Sequence, residues 1–202
     1  MPLWIAPQPL VLASKSEARR QILAASGLPV EVRPAGIDER AIEAQAGALA
    51  ADQAARLLAQ AKAAAVAKAM PGRLVLAADQ TLSLGTRRFS KPADRAAARE
   101  QLRALCGQSH NLHSAIAVMR DGELLFEHLD LATLTMRNFS ERFIESYLDT
   151  AGAAATASVG GYQIEGAGIH LFQRIAGDYF TILGLPLLPL LDFLRRNGFI
   201  AS

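Results

Sequence analysis

Cysteine is nearly absent from this chain. Cys106 stands alone among 202 residues, which excludes a disulfide framework and any zinc site built on cysteine. Aromatic residues make up only 6% of the chain, and no stretch sets them among clustered basic residues, so the stacking platform of a single-strand nucleic-acid binder is missing. Neither sign of charge is in large excess. Lys and Arg number 21 against 19 Asp and Glu, a formal charge of +2, so any basic site must be local. No apolar run approaches the roughly 18 residues of a membrane span. The segment up to Ala13 lacks a basic start and carries Pro2, Pro7 and Pro9, which makes it a poor signal peptide. A cytoplasmic protein with no membrane and no nucleic-acid partner is expected. Two catalytic signatures are missing as well: no glycine loop ends in Lys-Ser or Lys-Thr, and no serine sits in a Gly-x-Ser-x-Gly elbow. His110, His113, His128 and His170 show no metalloprotease spacing, and structural hydrogen bonding is expected of the first two.

What the chain does have is apolar residues, 51% of the total, with alanine abundant. That supplies a sizeable core and favours helices lying close on a sheet. Leu10–Ala13, Val30 with Val32, Leu74–Ala78 continuing through Thr81–Leu84, Ile116–Met119, Leu124–Phe126 and Leu129–Met136 read as strands, with a hairpin turn at Asp121-Gly122. Helices are expected from Glu17 to the stop at Gly27, and over 48–70 with Leu57, Leu58, Ala61, Ala65 and Val66 as the apolar stripe. Others follow Asp94, with Ala98, Leu102 and Leu105 inward, then Ser140, then Pro186. After Val32 the chain reads as a loop that delivers Asp38 and Glu39. The stretch 150–168 is rich in Gly and Ala and reads as weakly structured, a length of loop that is usually functional. Ile169–Phe172 and Tyr179–Leu183 read as the last strands. No repeat or linker divides the chain, so one α/β domain over 1–202 is expected.

The first candidate site is the turn between Leu10–Ala13 and the helix after it. Ser16 is placed as N-cap, and Arg19 and Arg20 fall in the first turn, where cations oppose the helix dipole. An anion there would meet backbone N–H groups, the hydroxyls of Ser14 and Ser16, and a guanidinium. Replacing Arg19 by Ala is then expected to leave the ligand-free protein as stable or slightly more so. The bland alternative is a surface helix that begins with two arginines.

Asp79 is the second candidate. A carboxylate directly after a buried strand sits where α/β sheets hold ligands, although an Asp can also simply turn the chain. Glu39 alone reads as a solvated loop acid, Lys62 as a side chain snorkelling from an apolar stripe, and Lys91 as a plain loop lysine. Together with the opening turn, these two acids and two lysines form a kit for metal-assisted phosphoryl chemistry.

In order along the chain come Leu12-Ala13-Ser14-Lys15-Ser16 with Arg19-Arg20, Gly36-Ile37-Asp38-Glu39, Lys62, Ala78-Asp79 and Lys91-Pro92. Gly161-Tyr162-x-Ile164-x-Gly166-x-Gly168, Gly177-Asp178-Tyr179 and Gly184-Leu185-Pro186-Leu187 follow. These landmarks resemble the Maf family (septum-formation inhibitor Maf) of nucleotide pyrophosphatases over nearly the whole length.

The resemblance implies an α/β fold like that of the inosine-triphosphate pyrophosphatases, with a mixed sheet flanked by helices and two lobes around a cleft. It implies hydrolysis of a nucleoside triphosphate to the monophosphate and pyrophosphate, assisted by Mg²⁺ or Mn²⁺. Asp79 would accept the proton of the attacking water, with Lys62 and Lys91 as catalytic cations and Ser14 and Arg19 on the phosphates. Glu39 would hold the metal, with Asp79 as base, metal ligand or both.

Three departures bear on the substrate. Glu17-Ala18-Arg19 stands where many members have Pro-Arg-Arg, Asp79-Gln80 where many have Asp-Thr, and Glu165 where pyrimidine-preferring members have Gln. The last two resemble the 7-methyl-GTP branch and make Gln80 and Glu165 substrate-binding candidates. The expected partners are the nucleoside triphosphate and, in a homodimer, a second copy of the chain. The alternative function is a nucleotide-binding regulator of septation with little turnover. The retained acids argue against it, since a pure binder of triphosphate gains little from carboxylates beside phosphate.

Overall fold

In the computed structural model, which describes residues 3–201, Leu10–Leu12 forms strand β1 with all three side chains buried. Ser16 caps helix α1 (Glu17–Ala25), its hydroxyl accepting from Arg19 N. Strand β2 (Val30–Val32) follows, and then Asp38 caps helix α2 (Glu39–Ala46). The sequence reads as loop there because α2 buries none of its residues, so no apolar stripe announces it. Helix α3 (Ala51–Ala69) leads to strand β3 (Val75–Leu84) and the short β4 (Arg87–Phe89). Asp94 caps α4 (Arg95–Leu105), with Ala98, Leu102 and Leu105 buried as expected. Strands β5 (Ser109–Arg120) and β6 (Glu123–Met136) meet at Asp121-Gly122, where φ is 53° and 83°, the left-handed pair of a tight hairpin turn.

Ser140 caps α5 (Glu141–Ala151), and the short α6 (Ala154–Ala157) and 3₁₀ turns at Val159–Gly161 and Ala167–Leu171 follow. The last strand, β7, runs over Phe172–Ala176. Tyr179–Ile182 is helix α7, capped by Asp178, and α8 (Leu187–Arg196) closes the chain. Two strand expectations are therefore corrected. Ile169–Leu171 is a 3₁₀ turn, and Tyr179–Leu183 is helical. A short, mostly apolar run does not distinguish strand from helix, and at Tyr179 the Asp178 cap decides.

The seven strands are ordered β2-β1-β3-β5-β6-β7, with β4 on β3. β1 runs parallel to β2 and β3, whereas β3–β4 and β6–β7 are antiparallel. The expected mixed sheet flanked by helices is what the chain forms. Among the described residues, no helix is long and apolar enough to cross a membrane.

The chain builds two compact units, one from 1–80, 114–130 and 178–202, the other from 81–113 and 131–177. In the first unit the sheet residues alternate between two apolar layers. Leu10, Leu12, Leu76 and Ala78 pack with Ile22 and Leu23 of α1 and Leu190, Phe193 and Leu194 of α8. Val11, Ala13, Val75 and Ala77 pack under Ala55, Ala59, Ala63 and Val66 of α3. That alanine stripe corrects the expected one: Leu57, Ala61 and Ala65 are only partly buried. Small side chains let α3 lie close on the sheet. In the second unit, α4 and α5 bury Leu102, Leu105, Ile144 and Leu148, and His110 packs against Tyr162 and Phe172.

Candidate active site

Parallel pairing sets the carboxyl end of β1 against the middle of β3, an edge where Ala13 N still donates to Leu76 O at 2.8 Å just before Ser14. Arg19, one turn into α1, points into this edge and is only 9% exposed. Its Nε donates to Gly184 O at 2.8 Å, and its Nη1 to Ala78 O at 2.6 Å and to Ser14 Oγ at 3.2 Å. Burial pushes the Arg19 pKa below its ordinary value, and the charges of Asp79 and Glu39 oppose that shift. Among the described residues its hydrogen bonds run from Nε and Nη1 alone.

The expected anion-ready helix start is corrected in this light. Ser14 Oγ already accepts from Ser16 N at 3.2 Å, and Ser16 Oγ from Arg19 N at 3.4 Å. Arg20 pairs with the exposed Glu17. Arg19 is held by carbonyls instead of waiting on an absent anion, so its loss has a cost in the ligand-free protein. Gly184 makes this approach possible. Its φ is 89°, and a Cβ there would stand 3.2 Å from Arg19 Nη2.

On the α3 face of β3, Asp79 Oδ1 accepts from Lys62 Nζ at 2.5 Å, and the same ammonium lies 2.9 Å from Glu39 Oε1. The Asp79 side chain is 9% exposed and that of Glu39 49%. Burial raises the Asp79 pKa above the ordinary carboxylate range; Lys62 and Arg19 pull it back, and Glu39 pushes it further up. Lys62 is thus no snorkelling surface lysine. Among the described residues no three His, Cys, Asp or Glu gather as a metal-ligating group. Glu39 and Asp79 meet at one ammonium and are the two carboxylates available to a divalent cation. Such a donor set suits a hard ion that takes its other ligands from water and phosphate oxygens.

Gln80 points to the opposite face, as consecutive strand residues must. Its Nε2 donates to Ser114 Oγ at 2.8 Å, Ile182 O at 3.0 Å and Thr181 O at 3.1 Å. Ser14, Arg19, Glu39, Lys62 and Asp79 therefore share one neighbourhood, whereas the Gln80 amide is engaged elsewhere in the same unit. Ser114 and Thr181 are supporting residues that sequence reasoning missed, and Gly184 was read there as a landmark without a role. The available signal was Gly184 two residues before Pro186, a helix stop.

Lys91 and Glu165 belong to the other unit, Lys91 exposed before the buried Pro92 and Glu165 exposed in a turn. The glycine-rich stretch around Glu165 has a packing reason. A Cβ at Gly168 would lie 2.3 Å from Gln163 O, so the backbone folds tightly on itself there.

Comparison with known proteins adds four findings. The family described as Maf-like protein matches residues 9–197. A Rhodopseudomonas palustris protein named nucleoside triphosphate pyrophosphatase is 59% identical over 201 residues, covering 100% of both chains. One of the same name from Bradyrhizobium diazoefficiens is 54% identical, again over 100% of both. A Mesorhizobium japonicum protein named 7-methyl-GTP pyrophosphatase is 52% identical over 95% of this chain and 97% of its own.

Proposed function

This chain belongs to the Maf family, and on that premise we propose that it hydrolyses a nucleoside triphosphate to the monophosphate and pyrophosphate. The single observation that carries this reading is the buried Asp79 carboxylate, bonded to Lys62 on α3 and under the charge of Arg19 on α1. A raised pKa makes Asp79 a better proton acceptor than an exposed carboxylate, and the flanking cations suit a polyanion.

Water attacks the α-phosphorus as its proton passes to an Asp79 oxygen, and the bond from that phosphorus to the bridging oxygen breaks. The electron pair leaves on pyrophosphate. Protonation of Asp79 frees the Lys62 ammonium for a phosphate oxygen, while Arg19 Nη2 donates to another. Ser14 fixes the guanidinium through Nη1. Glu39, with Asp79 while it is ionised, would hold a divalent cation, Mg²⁺ or Mn²⁺, which supplies charge neutralisation on the triphosphate when bound. Lys91 is assigned to phosphate charge by resemblance alone.

Incubation of the full chain with a panel of triphosphates and Mg²⁺ or Mn²⁺ in ¹⁸O-water tests this reading. Pyrophosphate release with label in the monophosphate is expected. Label in pyrophosphate would move the attack to the β-phosphorus, and release of orthophosphate would overturn the reading.

For the base, the reading favours 7-methyl-GTP, the substrate named for the Mesorhizobium relative. Ionised Glu165 only accepts hydrogen bonds. Guanine offers two adjacent donors and N7-methylation adds positive charge, whereas uracil and thymine present carbonyls beside their single N–H. In competition, 7-methyl-GTP should be consumed ahead of dTTP and UTP, and Glu165→Gln should narrow the gap. A preference for the pyrimidines would sink the base assignment and leave the pyrophosphatase assignment standing.

A further inference from the structure

We propose that Lys62 is an internal counter-ion of Asp79 and Glu39, which keeps a divalent cation from settling on these acids until a triphosphate draws the ammonium away. The proposal deepens the pyrophosphatase reading and rests on it.

One side chain spans both acids. Lys62 leaves the middle of α3, and its Nζ lies 2.5 Å from Asp79 Oδ1 and 2.9 Å from Glu39 Oε1. A divalent cation that used both carboxylates would meet that ammonium, and the two repel at contact.

The local charges already cancel while both acids are ionised. Asp79 lies under the charges of Lys62, Arg19 and Glu39, and Arg19 under those of Asp79 and Glu39. Asp79 and Arg19 are buried, so water screens their share of this set poorly. A divalent cation entering alone would add its whole charge beside a guanidinium that Gly184 O and Ala78 O hold in place. A triphosphate brings several negative charges and removes that surplus. Its oxygens also give the ammonium a new partner.

Glu39 is the acid able to follow such an exchange. It is the first residue of α2, which buries none of its residues, and its side chain is half-exposed. Asp79 sits on a buried strand and stays where it is. Nucleotide therefore raises metal affinity, and by linkage metal raises nucleotide affinity by the same factor.

Mn²⁺ binding to the nucleotide-free full chain, read from the EPR signal of free Mn²⁺, tests this. Lys62→Met keeps the length of the side chain and removes its charge. It leaves Asp79 buried without its partner, a demand for positive charge that Mn²⁺ meets. The variant should bind Mn²⁺ about tenfold tighter or more, within the usual range of coupling between two sites. Lys68→Met, which removes the same charge from the exposed end of α3, should change nothing. Glu39→Gln in the Lys62→Met background should cancel the gain. Equal or weaker binding by Lys62→Met, or an equal gain in Lys68→Met, would overturn the proposal. If Lys62→Met does not fold, Lys62→Gln carries the measurement.

In the wild type, ¹⁵N-labelled lysine follows the ammonium directly, with the Lys62 signal assigned by its loss in Lys62→Arg. Mg²⁺ alone should leave that signal in place, and Mg²⁺ with bound α,β-methylene-GTP should move it. Displacement by Mg²⁺ alone, or a signal unmoved with the analogue bound, would overturn the proposal. A chain that cleaves no triphosphate would sink the proposed function, while the Mn²⁺ measurement, made without nucleotide, still decides this one.

Discussion

Asp79 is pulled in two directions. Burial resists its ionisation, and the ammonium and guanidinium beside it favour the charge; burial wins, and its pKa lies above the ordinary range. The acid limb of kcat/KM should therefore sit above the ~3.9 of a free aspartate. Asp79→Asn should abolish that limb and lower turnover by on the order of 10²–10⁴, with nucleotide binding retained. Near-normal turnover would shift suspicion to Glu39. Linkage gives stability the opposite sense. A raised folded-state pKa contributes stability below the unfolded value and loses it as pH climbs through the folded one. Arg19 yields a second prediction. Arg19→Ala strands the buried carbonyl of Ala78 and releases Gly184, so urea unfolding of the ligand-free chain should show a loss of about 1–3 kcal/mol. An unchanged midpoint would mean that the bonds to carbonyls contribute nothing. Asp79 was legible in the sequence because an acid closes a buried apolar run. Its partnership with Lys62, 17 residues earlier, was not, since only the packing of α3 on the sheet brings them together.

At the scale of elements, the helices that begin on Ser16, Asp94 and Ser140 were legible from their caps, and all three side chains accept from the expected backbone N–H. Helix α2 was not, because it buries nothing and its cap, Asp38, stands in what reads as a Pro/Gly loop. Such a helix belongs to the low-stability end of the molecule. Asp38→Ala should remove the bond to Ala41 N and about 0.5–2 kcal/mol of local stability. Amide exchange across 39–46 should quicken while global unfolding stays nearly where it was. A large global loss would mean that α2 is integral to the core. Helix α7 was misread for a different reason: its four residues are too few to show a period, and what defines it comes from Asp178 before and Gly184 after.

The whole molecule has no segment that can be cut out as a unit, because β3, β5 and β6 each pass from one unit into the other. One core histidine gives it an expected sensitivity to acid. His110 is 1% exposed, its Nε2 is bonded to Tyr162 OH at 2.7 Å, and its Nδ1 has no partner among the described residues. Burial lowers its pKa to about 4. The unfolded chain, with histidine near 6.5, takes up that proton first, so stability should fall as pH drops from about 6.5 to 4, by on the order of 3 kcal/mol. Thermal unfolding across that window checks this, and His110→Gln should flatten the slope.

One consequence of β3 concerns insertions and deletions. Leu74, Val75, Leu76, Ala77 and Ala78 are buried on both sides of the sheet, so hydrophobicity hardly distinguishes one register from the next. What marks the register is the polar pair that follows, an acid facing Lys62 and an amide facing α7. A frame-preserving insertion of one residue in that run would exchange their faces. A loop before β3 can change length without moving this pair, but the count from Leu74 to Gln80 is an address that a single extra codon makes undeliverable.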